Sequence, residues 1–435
     1  MGIFLNGIYL LTLIAAAPWM VWRSIRTGRY REGWGAKLFG LVPTLPLDSE
    51  TVWFHAVSVG EVQVLRPLIR EFQMNHPQAR LAVSCTTKTG MDLAQRLFPE
   101  VHRFYFPMDF TWAVRRALKR IHPKLLVLVE LELWPNLVQQ AKRRGVVVSV
   151  VNGRLSERSF RGYGHIGWLM RRTMEQVDWV GAQDSTYAER FRNLGAKGDR
   201  IEVTGSLKFD GAETDREHRE VESRKRILGL DTMHRVLVVG STQAPEEAIA
   251  LKAFENLCQR FPNLRMIVVP RHTERFDEVN ELLEKSDCNV IRWSQVGVRA
   301  NANDWKILLV DTIGELRWLW GLAEFGFVGG SFGKRGGQNM IEPAAFGVAV
   351  SFGPNTKNFR DIVRLLLDAN AASVLDDPEQ FENWLESMLS NPRQAQAFGK
   401  RAAEVALSHR GATRRTVNAL VKFLTSKEKA SVRAA

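Results

Sequence analysis

The chain has 435 residues, 45% of them hydrophobic and 25% charged: an ordinary globular balance, with room for two or three domains. Its 60 Lys and Arg against 47 Asp and Glu leave a formal net charge of +13, which favours anionic partners such as nucleic acid, acidic lipid or a phosphorylated substrate. Three scattered cysteines (Cys85, Cys258, Cys288) argue against a disulfide framework and for a reducing compartment, and without HExxH or CxxC a structural metal site has no support.

The first predicted element is apolar. Residues 3 to 22, IFLNGIYLLTLIAAAPWMVW, carry no charged side chain and suit one bilayer crossing in length. Arg23, Arg26, Arg29, Arg31 and Lys37 follow it. Positive charge after the run argues against a cleaved signal peptide and keeps the rest of the chain cytoplasmic. Asn6, Gly7 and Pro18 weaken the run as a span, so a crossing helix and one lying in the interface both stay open. In either case the segment is expected to add little to a core.

Seven apolar runs come next: TVWFHAV, RLAVSCTT, HRFYFP, KLLVLVE, VVVSVVN, DWVGAQ and IEVTG. A charged stretch, residues 208 to 234, reads as a linker with a surface helix. Then come RVLVVGS, RMIVVPR, CNVIRW, KILLVDT, FGFVGGS, VAVSFG and ASVLDD. Val/Ile/Leu runs without alternation read as strands buried on both faces, and the helical patterns between them imply right-handed crossovers. The expected fold is α/β: two tandem doubly wound, Rossmann-like domains facing a cleft. Ligands of such sheets bind outside the C-terminal strand ends, at a switch in strand order.

The motifs fall at those ends. HAVSVGE puts Glu61 at a strand-to-helix turn, with Gly60 to bring the backbone close. A solvated helix-start carboxylate and a catalytic one are both open there. VELELWPN ends a strand with Glu130 and Glu132, two residues apart and so on one side of it. TGSLKFD places Lys208 after an apolar run, where it is a surface charge or a group that steadies an anionic leaving group. In GSTQAPEE, Ser241 and Thr242 cap a helix or meet a phosphate at its N-terminus. VVPRHTERF ends with Arg271 and His272; Arg offers phosphate or carboxylate a rigid fork of donors. DTIGEL follows, then the glycine-rich loop FVGGSFGKRGGQNMIEP, whose backbone N–H groups suit an anion. That loop is not a Walker A motif, because Arg335 stands where Ser or Thr belongs.

Taken in order, HAVSVGE, PKLLVLVELELWPN, VNGRLSERS, VTGSLKFD, VVPRHTERF, DTIGEL, FVGGSFGKRGGQNMIEP and FGPNTKNF resemble the 3-deoxy-D-manno-octulosonic acid (Kdo) transferases of lipopolysaccharide synthesis. The likeness runs from the apolar segment to about residue 410. It implies a GT-B fold on the cytoplasmic face of the inner membrane. It also implies metal-independent, inverting transfer of Kdo from CMP-Kdo to the lipid A precursor, lipid IVA, with no cofactor. The implied organisation is an anchor at 1–22, an acceptor-binding domain at 23–207, a linker at 208–234, a CMP-Kdo-binding domain at 235–425 and a tail at 426–435. By the same resemblance Glu61 is the general base, and Glu130 and Lys208 stabilise the transition state. Pro270 and Arg271, the segment Ile313-Gly314-Glu315, and Asn339, Met340, Ile341 and Glu342 match the CMP-binding segments. The chain departs from the family pattern at Ile313 (DTMGEL), at Gln338, Met340 and Ile341 (RGGHNPLE), in GSTQAPEE (GSTHPGEE) and in PRHTERF (PRHPERF). The Gln at 338 stands where the family pattern has His and so changes the donor there.

Two rivals are weighed beside this. One is another GT-B nucleotide-sugar enzyme, an epimerase or a lipid-directed hexosyltransferase, which UDP would stabilise in place of CMP. The other is a membrane-tethered nucleic-acid binder, which the scattering of Lys and Arg among acids opposes.

Overall fold

Each of the apolar runs becomes a strand in the computed structural model, which describes residues 2–27, 32–296 and 304–432. Arg29 and Arg31 of the basic cluster lie outside the described residues, as do the last three of the tail. The first seven strands are β1 Thr51–Ala56, β2 Arg80–Cys85, β3 His102–Tyr105, β4 Pro123–Val129, β5 Val147–Gly153, β6 Trp179–Ala182 and β7 Ile201–Val203. They form one parallel sheet in the order β3-β2-β1-β4-β5-β6-β7. The second seven are β8 Arg235–Thr242, β9 Leu264–Pro270, β10 Val290–Arg292, β11 Ile307–Leu309, β12 Phe325–Val328, β13 Ala349–Phe352 and β14 Ala372–Val374. Their sheet, also parallel, runs β10-β11-β9-β8-β12-β13-β14.

Burial on both faces explains the unbroken apolar runs. Val52, Phe54 and Ala56 of β1 join Leu125, Val127 and Val129 of β4 in one core cluster. The intervening Trp53, with Leu126 and Leu128, joins the cluster on the other face. Fully burying a side chain such as Phe54 contributes about 1.5–3 kcal/mol relative to leaving it exposed.

The chain divides into two units, Met1–Asp210 with His409–Ala435, and Gly211–Ser408. The C-terminal helix Ala412–Val432 returns to the first unit, placing Ala412, Val417, Leu420 and Leu424 in the core cluster of Phe54. The Asp210 carboxylate receives it, accepting from the Gly411 N–H at 2.6 Å and from the Thr413 N–H. The boundary drawn at 425 therefore falls inside a helix of the first unit. Most of the stretch 208–234 belongs to the second unit. Its Arg216 guanidinium donates to the carbonyls of Phe346 at 2.8 Å, Gly321 at 3.0 Å and Ala323 at 2.8 Å.

The apolar N-terminal segment is a helix, Gly2–Thr27, and among the described residues it is the one helix long and apolar enough to cross a membrane. It contributes more to the first unit than its composition implies. Leu5 is buried, and Asn6 and Tyr9 hydrogen-bond to Thr111 and Asp109, while Ile3, Leu11, Ile14 and Ile25 stay exposed. Asn6, which weakens the run as a lipid-facing span, thus helps to dock it, together with Tyr9.

Candidate active site

In the first unit the strand order reverses between β1 and β4, so the segments leaving their C-terminal ends are neighbours. The helix Val59–Asn75 follows β1 almost at once, with Ser58 as N-cap and Glu61 as its third residue, the S-x-x-E spacing of a capping box. Glu61 Oε1 accepts from the Ser58 hydroxyl at 2.8 Å and Oε2 from the Val57 N–H at 2.8 Å. Burial raises its pKa above the usual carboxylate range. The two hydrogen bonds pull it back, and the charge of Glu130 raises it further. Gly60 is not what makes the turn: a Cβ there would meet nothing closer than Ser58 Oγ at 3.9 Å.

Glu130 and Glu132 do not share a face of a strand as expected. β4 ends at Val129, and Glu130 adopts the left-handed conformation (φ 60°) with its N–H donating to Val151 O at 2.9 Å. Such a backbone in a non-glycine residue costs about 1–3 kcal/mol and needs surrounding structure to enforce it. Glu130 Oε1 stands 3.6 Å from Lys208 Nζ. Glu132 accepts from Trp134 Nε1 at 3.1 Å; burial, then the charge of Glu61, nevertheless push its pKa up to about 7. Asn152, fully buried and itself left-handed (φ 53°), takes the Leu207 N–H on Oδ1 at 3.0 Å and so sets the loop that carries Lys208. One corner thus groups three carboxylates and an ammonium.

In the second unit the order reverses between β8 and β12. Ser241, just before the end of β8, is left-handed (φ 57°), and the buried Thr242 carbonyl accepts the Arg271 N–H at 3.1 Å. Pro270 is buried opposite Thr242, whereas Arg271 is exposed. His272 Nε2 lies 3.5 Å from both Gln243 Nε2 and Arg335 Nη1. Asn339 Nδ2 donates to Glu342 Oε1 at 3.0 Å; burial raises the pKa of Glu342, while this bond and the charges of Arg317 and Arg271 oppose the rise. Met340 and Ile341 are buried, so their segment offers a ligand backbone and not side chains. Ile313 is 83% exposed beside Gly314 (φ 98°), while Glu315 is held by Arg224 at 2.7 Å.

The glycine-rich loop departs from its expected role. Its first amides already face an anion: Glu246 accepts from Gly330 at 2.7 Å, Ser331 at 2.9 Å and Phe332 at 3.0 Å, and also from Gln243 at 2.9 Å. Gly329 is required here, since a Cβ would lie 2.7 Å from Glu246 Oε2 and from Ser241 O. Glu246 therefore ties the loop after β12 to the loop after β8. The motifs single out neither Glu246, which lies inside GSTQAPEE, nor Asn152, which lies inside VNGRLSERS. The local signal for each was a polar residue beside a strand end, with partners far away in the chain.

The pair of parallel sheets matches known folds. A UDP-GlcNAc 2-epimerase from Neisseria meningitidis superposes with a TM-score of 0.57 at 11% identity, covering 86% of this chain and 100% of that one. A glycosyltransferase from Rickettsia africae gives 0.52 at 10% identity, covering 87% and 99%. These likenesses define the class by fold, an α/β protein of the GT-B type. The sequence profile described as 3-Deoxy-D-manno-octulosonic-acid transferase (kdotransferase) matches residues 29–211. The 3-deoxy-D-manno-octulosonic acid transferase of Haemophilus influenzae is 32% identical over 92% of this chain and 93% of its own. That of Bordetella pertussis is 34% identical over 96% and 99%. The chain belongs to the Kdo transferase family and is a glycosyltransferase.

Proposed function

We propose that the enzyme moves Kdo from CMP-Kdo to a phosphorylated lipid A precursor, lipid IVA, without a metal and with inversion, at the cytoplasmic face of the inner membrane. The observation that carries this reading is the grouping of Glu61, Glu130, Glu132 and Lys208 at the strand-order switch of a Kdo-transferase chain. Glu61 takes the proton of the attacking acceptor hydroxyl. The acceptor oxygen bonds to the anomeric carbon, the bond to the phosphate breaks, and CMP leaves with the electron pair. The transition state of glycosyl transfer is oxocarbenium-like, and the Glu130 carboxylate, held by Lys208, favours that positive charge.

The second unit is assigned the nucleotide. Ser241, Thr242, Arg271 and His272 follow or end adjacent strands, and the segments at 313–315 and 339–342 complete the set. Arg271→Ala should weaken CMP binding about ten- to a hundredfold, the loss of a charge-assisted pair of about 1.5–3 kcal/mol. Unchanged calorimetric affinity in a folded variant would remove Arg271 from the site. The apolar helix and the net charge of +13 suit an anionic membrane, where each near-surface Lys or Arg contributes about 1 kcal/mol.

The test of the whole reading is mass spectrometry of lipid IVA incubated with the purified chain and CMP-Kdo. The expected product carries added Kdo, with CMP released in step. No product, together with thermal stabilisation by UDP and not CMP, would overturn the reading in favour of a UDP-sugar enzyme.

A further inference from the structure

The helix Pro135–Arg143 begins where the carboxylate loop ends, and its own N-cap is empty: Trp134 makes no side-chain capping bond. The first amides of a helix need an acceptor. Here it comes from a distant segment. Asp109 Oδ2 accepts the Asn136 N–H at 2.9 Å and Oδ1 the Leu137 N–H at 2.7 Å. Asn136 answers by donating Nδ2 to the Asp109 carbonyl at 2.6 Å. Asp109 is 3% exposed, and among the described residues no cation pairs with it, so its anchoring depends on these donors and one more. That last donor is the hydroxyl of Tyr9, on the N-terminal helix, at 3.1 Å.

A second clasp lies beside it. Asn6 Nδ2 donates to Thr111 Oγ1 at 2.7 Å, Asn6 Oδ1 accepts the Thr111 N–H at 3.0 Å, and Asn136 Nδ2 also reaches Asn6 Oδ1 at 3.4 Å. Close approach of the backbones accompanies it, since a Cβ on Gly2 would lie 2.8 Å from Thr111 Cγ2. Tyr9 packs edge-on against Phe110 with ring centroids 6.1 Å apart. The apolar helix thus grips two helix starts at once, those at Thr111 and Pro135. The Pro135 start is continuous with Trp134, whose indole N–H holds Glu132. Hydrogen bonds run from Tyr9 to Asp109 and on to Asn136, and from there the chain itself leads back through Pro135 to Trp134 and Glu132.

We infer that Asp109 is a positioning residue for the carboxylate loop Glu130–Trp134, and that the N-terminal helix acts on the reaction through it, Tyr9 and Asn6 holding the corner that Asp109 caps. The inference rests on the proposed role of Glu130 and on the membership of Glu132 in the same group. It gives the helix a task besides attachment: a chain whose helix is displaced keeps its fold but loses the setting of the carboxylates.

The test uses the full-length protein with lipid IVA in detergent micelles. The double variant Asn6→Ala/Tyr9→Phe should lower kcat roughly ten- to a hundredfold, the scale of a small misplacement at a reacting centre. KM for the acceptor, CMP affinity and co-sedimentation with phosphatidylethanolamine–phosphatidylglycerol vesicles should stay unchanged. Asp109→Asn should lower kcat in the same way; if it fails to fold, the double variant still decides. A raised KM or lost sedimentation with kcat intact would overturn the inference and leave the helix a tether. Glu130→Gln and Glu132→Gln separate the two claims. If both retain turnover, the proposed site fails and this inference with it. If they lose turnover and the helix variants do not, the inference alone falls.

Discussion

Glu61→Gln should fold, bind CMP as the wild type does, and transfer Kdo at least about a hundred times more slowly. The prediction separates two roles that the structure superimposes on one carboxylate. As a capping group, Glu61 accepts from Val57 N–H and Ser58 Oγ. Gln can keep both contacts, its oxygen on Val57 N–H and its NH2 donating to Ser58 Oγ, and Gln is an ordinary third residue of a capping box. As a base, Gln does nothing. Loss of turnover without loss of stability therefore reports proton transfer.

The pH behaviour adds a second signature. Burial raises the pKa of Glu61 and takes Glu132 to about 7, so the folded protein binds protons that the unfolded chain releases. Between the ordinary carboxylate range and about pH 7, the contribution of these two groups to stability falls as pH rises, because each must be ionised while buried. Over the same range the transfer rate should rise, because the base must be deprotonated to act. Near-normal turnover by Glu61→Gln, with the rate still climbing toward a midpoint near 7, would return Glu61 to capping alone. It would move the base to Glu132.

The fold was open to reading because buried parallel strands announce themselves. β4 and β5 are nearly continuous Leu and Val, and every motif sits where such a run stops. What stayed hidden depends on partners remote in the chain. The helix Ala412–Val432 looks like any amphipathic helix, and nothing local says that it packs on the helix Val59–Asn75, β4 and β5 and not on the sheet that precedes it in the chain. Asp210, which receives it, is a loop aspartate until Gly411 arrives. Glu130 and Glu132 obeyed the strand period on paper, but a left-handed residue at 130 ended the strand one position before the period applied. Asn6 reads as a flaw in an apolar helix, and Tyr9 as one more of its ring side chains, because Thr111 and Asp109 lie about a hundred residues on.

Glu246→Ala should destabilise the protein by about 3–5 kcal/mol and abolish measurable stabilisation by CMP. Glu246 is 2% exposed and accepts four backbone N–H groups, one from the loop after β8 and three from the loop after β12. Removing the carboxylate leaves four donors unmet, two buried and two partly buried, a buried one costing about 1–3 kcal/mol. The loss should be smaller than their sum, because solvent can reach part of the vacated volume. Glu246→Gln keeps the shape but turns an NH2 toward amide donors on one side, so it should lose about half as much. Chemical denaturation measures the first effect and calorimetry with CMP the second. The coupling follows from geometry: the Gly329 backbone rests on Ser241 and Thr242, so a loosened loop after β12 frees the end of β8 as well. A Glu246→Ala protein within about 1 kcal/mol of wild type, with CMP affinity unchanged, would mean that those amides find other acceptors at no loss. The loop would then be held by its glycine contacts and its own turn, in which Gly337 N–H donates to Gly330 O at 2.8 Å, and Glu246 would be a passenger in it.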